Sequence, residues 1–194
     1  IHLRIAKVLE NSFPDVRDSQ PELLAQHFTA GGDLESGIAY RFKAGTRAQS
    51  ACTYDEAIRN FRLGLEILRQ LPESPERDGL ELQFQVPLAM TIMTSQGYAH
   101  EDLDEVHARA RDLCEQLGEN APLFHVLWGI WAVQLIRDDM QTAKKLANEM
   151  LELAVQRDDS GLQMEAWFSI AITSFFRAEF TVCRQACEQC SQLE

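Results

Sequence analysis

The chain has 194 residues, 18 of them basic and 30 acidic, which gives a formal net charge of −12. This excess of negative charge repels both a nucleic-acid backbone and an anionic membrane, so we expect neither as a partner. Hydrophobic residues make up 45% of the chain and charged residues 25%, as in folded globular proteins, and the 10 Gly and 6 Pro residues are few enough to favour long helices.

Helix-capping signals recur along the chain. Thr53 with Glu56 and Asp102 with Glu105 form capping boxes, and Pro75 stands where the first residue of a helix is expected. Between such signals the apolar residues follow helical periodicity, and no segment alternates as a half-buried strand does. The sequence therefore predicts an all-α fold of about ten helices, near residues 2–13, 20–31, 34–50, 54–71, 75–96, 102–117, 121–137, 140–157, 161–177 and 180–193.

The second half of the chain resembles itself when it is shifted by 40 residues. Phe124 then aligns with Met164 and Met140 with Phe180, a match in size and polarity more than in identity. A period near 40 residues built from two helices is typical of helical solenoids.

Small and aromatic residues are spaced as in the tetratricopeptide repeat, which the chain resembles at Gly45, Ala57, Phe61 and Gly64. Small side chains let two antiparallel helices approach closely, and larger residues from the neighbouring helix fill the gaps. A weaker copy precedes this one at Ala25, Phe28, Gly37 and Ala44. The resemblance implies a right-handed α-α superhelix of tetratricopeptide-like hairpins, and the alternative is a helix bundle without repeats.

Several short strings stand in a characteristic order: Pro21–Phe28 with Ala30-Gly31, Gly37–Tyr40 with Lys43–Gly45, Ala57-Ile58 with Gly64-Leu65, Leu71–Glu73 with Pro75–Arg77, Ser95–Ala99, Ala110–Cys114 and Leu127–Gly129. In this order they resemble the C-terminal helical region of bacterial class III adenylate/guanylate cyclases that are fused to a STAND-type, AAA-like ATPase module. The resemblance covers about residues 3–175.

The resemblance implies a division of the chain. Residues 1–13 would end a preceding winged-helix-like module, and residues 14–194 would form a repeat array that is truncated at its C-terminal end. The chain contains no Gly-x-x-x-x-Gly-Lys-Ser/Thr phosphate loop and no predicted strands to carry a cyclase's metal-binding aspartates. We therefore expect no catalytic residues and no cofactor. Five cysteines, an odd number in an acidic helical chain, favour a reducing cytoplasm.

Two groups of residues have the composition of metal sites. Cys183, Cys187 and Cys190 have the spacing of the iron–sulfur signature of radical S-adenosylmethionine enzymes. Here they fall on a predicted helix at repeat positions where cysteine packs as a small hydrophobe, so we favour packing over an iron–sulfur enzyme fragment. The second group, His100, Asp102, Asp104 and His107, contains possible zinc ligands, but we favour a capped and solvated helix start over a metal site. We expect no metal site.

Aromatic residues in the last predicted hairpins are the candidates for a partner site. The repeat alignment places a set of side chains on the concave face of two successive first helices, where exposed aromatic residues anchor peptides or helices. The alternative is that Trp128, Trp131, Trp167 and Phe168 belong to the core between repeats. The candidate partner-binding residues are His125, Trp128, Leu135, Glu165, Phe168 and Phe175.

We therefore predict that the chain is a regulatory protein–protein interaction module of a cyclase/ATPase signal-transduction protein. Its expected partner is a protein or peptide, including the ATPase and cyclase modules of its own parent protein, and self-association is also expected. The alternatives are a stand-alone repeat scaffold and a small-molecule-sensing helical array of a transcriptional activator.

The family resemblance makes a prediction about the gene. We expect the reading frame upstream of residue 1 to encode a P-loop ATPase module and a cyclase domain, because those modules precede the helical region in the family. Sequencing the upstream region tests this expectation, and a region that encodes neither module contradicts the resemblance.

Overall fold

The computed structural model describes residues 1–118 and 120–193 of the chain. Within these residues it contains eleven α-helices and no strand, which confirms the predicted all-α fold. The chain divides into two compact units, the first from Ile1 to Ser95 and the second from Gln96 onward. The helices are α1 (His2–Ser12), α2 (Pro14–Ser19), α3 (Pro21–Ala30), α4 (Leu34–Ser50), α5 (Tyr54–Leu68), α6 (Pro75–Gln96), α7 (Asp102–Leu117), α8 (Asn120–Ile136), α9 (Met140–Gln156), α10 (Ser160–Phe176) and α11 (Phe180–Gln192).

Helix α2 is the element that the sequence did not predict. It has six residues, begins with Pro14 at its first position, and contains no buried residue. Its one apolar core contact is the partly buried Val16, and a single apolar residue in six gives no helical periodicity. The ten predicted helices are all present, with boundaries that differ by a few residues.

Close helix approach at glycine organises the first unit. A Cβ atom on Gly45 of α4 would overlap the ring of Phe61 in α5, and one on Gly64 of α5 would overlap the ring of Phe84 in α6. Both rings are almost fully buried. The small residues therefore do what the repeat pattern predicts, because each leaves room for an aromatic ring from the next helix.

Helix α1 belongs to the core of the first unit. Ala6 is fully buried in a cluster with Leu24 and Phe28 of α3. The hydroxyl of Tyr40 in α4 donates a 2.8 Å hydrogen bond to Glu10 Oε1 in α1. The assignment of residues 1–13 to a preceding module remains a prediction.

The turns of the second unit repeat every twenty residues. Helices α8, α9 and α10 each have 17 residues, and three-residue turns follow them at 137–139, 157–159 and 177–179. In each turn the middle residue has a positive φ, which is 63° at Asp138, 52° at Asp158 and 58° at Ala178. Two such helix-and-turn segments account for the 40-residue period of the sequence.

All three turns have the hydrogen bonds of a Schellman motif. The third residue donates its amide to a carbonyl five residues earlier, at 3.0 Å for Asp139, 3.3 Å for Asp159 and 2.8 Å for Glu179. The first unit uses the same turn after α3, where Gly32 has the positive φ, and after α4, where Cys52 has it. The same backbone turn therefore connects α3 to α4 and α4 to α5 in the first unit.

The turns predict opposite effects for two reciprocal substitutions. Ala178→Gly should raise the free energy of unfolding by about 1 kcal/mol, because it removes the steric penalty of a Cβ atom at a positive φ. The greater conformational entropy of glycine in the unfolded chain offsets part of this gain. Gly32→Ala should lower the free energy of unfolding by about 1 kcal/mol, because it adds the same steric penalty. A Cβ on Gly32 would meet no atom within 4 Å, so the effect there comes from the backbone alone.

Urea unfolding followed by circular dichroism measures both changes. Shifts of the same sign in the two variants would contradict the account of the turns.

Candidate functional site

Helices α8 and α10, the first helices of two successive hairpins, contact each other in the second unit. The indole Nε1 of Trp131 in α8 donates a 2.9 Å hydrogen bond to Oγ1 of Thr173 in α10, and Thr173 donates in turn to the carbonyl of Ser169. Trp131 is buried in a core that contains residues from α8, α9, α10 and α11. The polar end of this indole is thus satisfied within the core, and the ring fixes α8 beside α10.

The candidate residues on α10 lie at the surface. Phe168 is 55% exposed and Phe175 58% exposed, and they lie seven residues apart, which is two helical turns and places them on one side of the helix. Glu165 is also exposed. A side of α10 therefore presents two aromatic rings and a carboxylate.

The candidate residues on α8 divide between surface and core. His125 is exposed, whereas Trp128 and Leu135 are half-buried and pack against the core of the second unit. The ring of Trp128 lies 6.1 Å from that of Trp131. Trp167, one of the residues that the alternative reading assigned to the core, also packs against it. The partner-binding role of the six candidates remains a prediction.

A cluster of three phenylalanines at the end of α10 extends the exposed aromatic surface. The ring of Phe175 lies 5.8 Å from Phe176 and 6.2 Å from Phe180, and both neighbours are more than half exposed. Contiguous exposed apolar side chains are typical of interaction surfaces. Sequence reasoning missed Phe176 and Phe180, although the alignment of Met140 with Phe180 marked that position as apolar in both copies.

Two of the three cysteines of α11, Cys183 and Cys190, have surroundings that favour the thiol over the thiolate. Burial raises the pKa of Cys183 and of Cys190, and the nearby Cys187 raises both further. Cys190 donates a 3.6 Å hydrogen bond to the carbonyl of Met164 in α10. Metal binding and nucleophilic attack both require the thiolate, so these shifts weaken both activities.

The histidine and aspartate residues around the start of α7 meet in one pair, in which His100 Nδ1 lies 3.9 Å from Asp102 Oδ2. Asp104 pairs with Arg137 at 2.6 Å, and His100 accepts a 3.3 Å hydrogen bond from the amide of Asp102. His107 is buried and packs on α8, where a Cβ on Gly129 would lie 2.6 Å from its Nε2. In the described part of the chain, no group of three or more His, Cys, Asp or Glu side chains has the arrangement of a metal site.

Burial lowers the pKa of His107 from its ordinary value of 6.5 to about 4. The carboxylate of Asp104 acts in the opposite direction and raises it, whereas Arg137 lowers it. The imidazole is therefore neutral at physiological pH and serves as a packing group beneath Gly129.

In residues 1–118 and 120–193, no helix is long and apolar enough to cross a membrane.

Comparison with known proteins identifies the fold. No family model and no curated protein sequence matches the chain. Among solved structures, the chain is similar to BtubC (BKLC) from P. vanneervenii, with a TM-score of 0.73 and 12% sequence identity over 99% of this chain and 86% of that one. Similarity at this level of identity concerns the fold alone, and it agrees with the predicted helical-repeat architecture.

The buried histidine predicts a pH dependence of stability. Unfolded His107 takes up a proton near pH 6.5, whereas the folded protein resists protonation down to about pH 4. The unfolded state therefore binds more protons between these values, and the free energy of unfolding should fall by up to about 3 kcal/mol as the pH drops from 6.5 to 4.

The matched variant His107→Gln isolates this contribution from the titration of carboxylates in the same range. Its unfolding free energy should depend less on pH than that of the wild type, because glutamine does not titrate in this range. Urea titrations at several pH values measure the difference, and parallel curves for wild type and His107→Gln would refute the prediction.

Proposed function

We propose that this chain is a protein-interaction module whose partner surface is the exposed aromatic side of α10 with the adjoining residues of α8. One observation carries the proposal: Phe168 and Phe175, two turns apart on one side of α10, are each more than half exposed to solvent. Complete burial of an exposed phenylalanine side chain is worth about 1.5–3 kcal/mol, and a partner can still bury more than half of each of these two. Two rings on one side of a helix are therefore a suitable anchor for a partner helix or peptide.

Charge restricts the kind of partner. The chain carries a net charge of −12, and Glu165 lies one helical turn before Phe168 on the same side of α10. A partner with basic residues around an apolar contact is complementary to this surface, since such complementarity increases the association rate and disfavours acidic partners.

The family resemblance suggests what the interaction accomplishes. In a cyclase–ATPase signalling protein, a non-catalytic helical arm regulates the enzyme by binding one arrangement of the catalytic modules more tightly than another. The surface would then engage the parent's own ATPase or cyclase module, a separate regulatory protein, or a second copy of the arm. A stand-alone scaffold would use the same surface without an attached enzyme.

Site-specific photo-crosslinking tests the surface in the full-length protein. A benzoylphenylalanine in place of Phe168 should crosslink to a partner in cells, because this position lies at the centre of the proposed contact. The matched control replaces Val155 of α9, which is 57% exposed and so has nearly the same access to solvent.

Mass spectrometry of the products separates the possibilities. Peptides from the parent's ATPase or cyclase module support the regulatory arm. Peptides from another protein, or from a second copy of this chain, support an interaction module that is either a regulatory arm or a scaffold. Equal yields at the two positions would contradict the proposed surface.

A further inference from the structure

The first unit contains a cavity of about 570 Å³ between α4, the loop at 71–74 and α6, here called the α4–α6 pocket. Its apolar lining includes Ile38 and Phe42 from α4 and Leu80 and Phe84 from α6. The rings of Phe42 and Phe84 meet edge to face at 5.3 Å. Ligand sites in proteins have volumes of about 300–1,000 Å³ and mostly apolar walls, so this cavity has the size and lining of a binding site.

Helix α6 begins at the pocket, but its N-terminus does not offer an anion site. The amide of Arg77 donates to Ser74 Oγ at 3.2 Å. Hydrogen bonds from its own backbone amide, and then from Ser74, lower the pKa of Glu76. These side chains already occupy the amide donors that an anionic ligand would need.

The charges that line the pocket are predominantly negative. Arg77, the basic residue of the lining, pairs with Asp78 at 3.2 Å, and both side chains are largely buried. The other two charged residues of the lining are Glu35 and Glu76. Both side chains are exposed, so they form an acidic rim on an apolar recess.

Arg77 supplies the polar contact that distinguishes a peptide from a simple amine. Its guanidinium carries several N–H donors, and its buried Nε has no acceptor within the described residues. A main-chain carbonyl is an acceptor that brings no further negative charge beside Glu35 and Glu76. A carboxylate ligand would be repelled by the same two residues.

We propose that the α4–α6 pocket binds a peptide segment of a partner protein in which apolar side chains are flanked by lysine or arginine. The apolar side chains contact Phe42 and Phe84, a main-chain carbonyl accepts from a reoriented Arg77, and the basic residues pair with Glu35 and Glu76. This site lies wholly in the first unit, so its test is independent of the aromatic surface on α10.

Two synthetic peptides that differ only in flanking charge test the proposal. The probes are acetyl-Gly-Lys-Leu-Phe-Lys-Gly-amide and its counterpart with glutamate in place of both lysines. Each is titrated into the ¹⁵N-labelled chain and followed by amide chemical shifts. The lysine peptide should bind at least about tenfold more tightly, with the largest shifts at Ala39, Phe42 and Leu80.

Substitutions in the pocket provide the controls. Ala39→Trp, at an exposed position in the lining, should fill the recess and weaken binding at least about tenfold. Ala51→Trp changes another exposed alanine, the C-cap residue of α4 outside the lining, and should leave binding unchanged. Thermal unfolding of both variants by circular dichroism shows whether each one folds.

In the double variant Glu35→Gln, Glu76→Gln, the ratio of the affinities for the lysine and glutamate peptides should fall toward one. Equal affinity of the wild type for the two peptides, or absence of binding by both, overturns the proposal. Phenethylamine, a simple aromatic amine, serves as a third probe. If it binds as tightly as the lysine peptide, the assignment to a peptide is wrong. If a folded Ala39→Trp variant binds the lysine peptide as tightly as the wild type, the assignment to this pocket is wrong.

Discussion

The contact of an aromatic ring with a position that lacks a side chain is the constraint on which this structure depends. Gly45 receives Phe61, Gly64 receives Phe84, and Gly129 of the second unit receives the imidazole of His107. In each pair the ring occupies the volume that a Cβ would fill, so the helices approach more closely than larger residues permit. The same packing explains the pKa of His107, because a ring held this tightly against a neighbouring helix is removed from water.

The pairing of helices determines which side chains stay exposed and can bind a partner. The Schellman turns reverse the chain every twenty residues in the second unit, so the first helices of successive hairpins come to lie side by side, as the hydrogen bond between Trp131 and Thr173 shows. With Trp131 facing inward, residues on another side of these helices remain at the surface. Phe168 and Phe175 are exposed because the repeat geometry commits the opposite side of α10, with Ala166 and Ile170, to the core.

Sequence reasoning succeeded where local pattern determines structure. Periodicity and capping located ten helices, and the spacing of Gly45 with Phe61 identified a real close contact. It failed at α2, whose six residues include no fully buried one. It also failed at the α4–α6 pocket, which depends on how the loop at 71–74 packs against two helices far apart in sequence. The positive φ of Asp138 and Ala178 was not predicted either, because aspartate adopts that conformation only in a minority of turns and alanine rarely does.

The aromatic and acidic features together favour one kind of complex. Exposed phenylalanines alone would suit either a second copy of the chain or a different protein, because the free energy gained by burying apolar area does not depend on which protein covers it. A net charge of −12 distinguishes the two, since it opposes the approach of another copy and attracts a basic chain. The same argument applies to the acidic rim of the α4–α6 pocket. A basic partner with apolar anchors is therefore the occupant that the chemistry of each unit favours independently, and self-association would have to overcome the repulsion between copies.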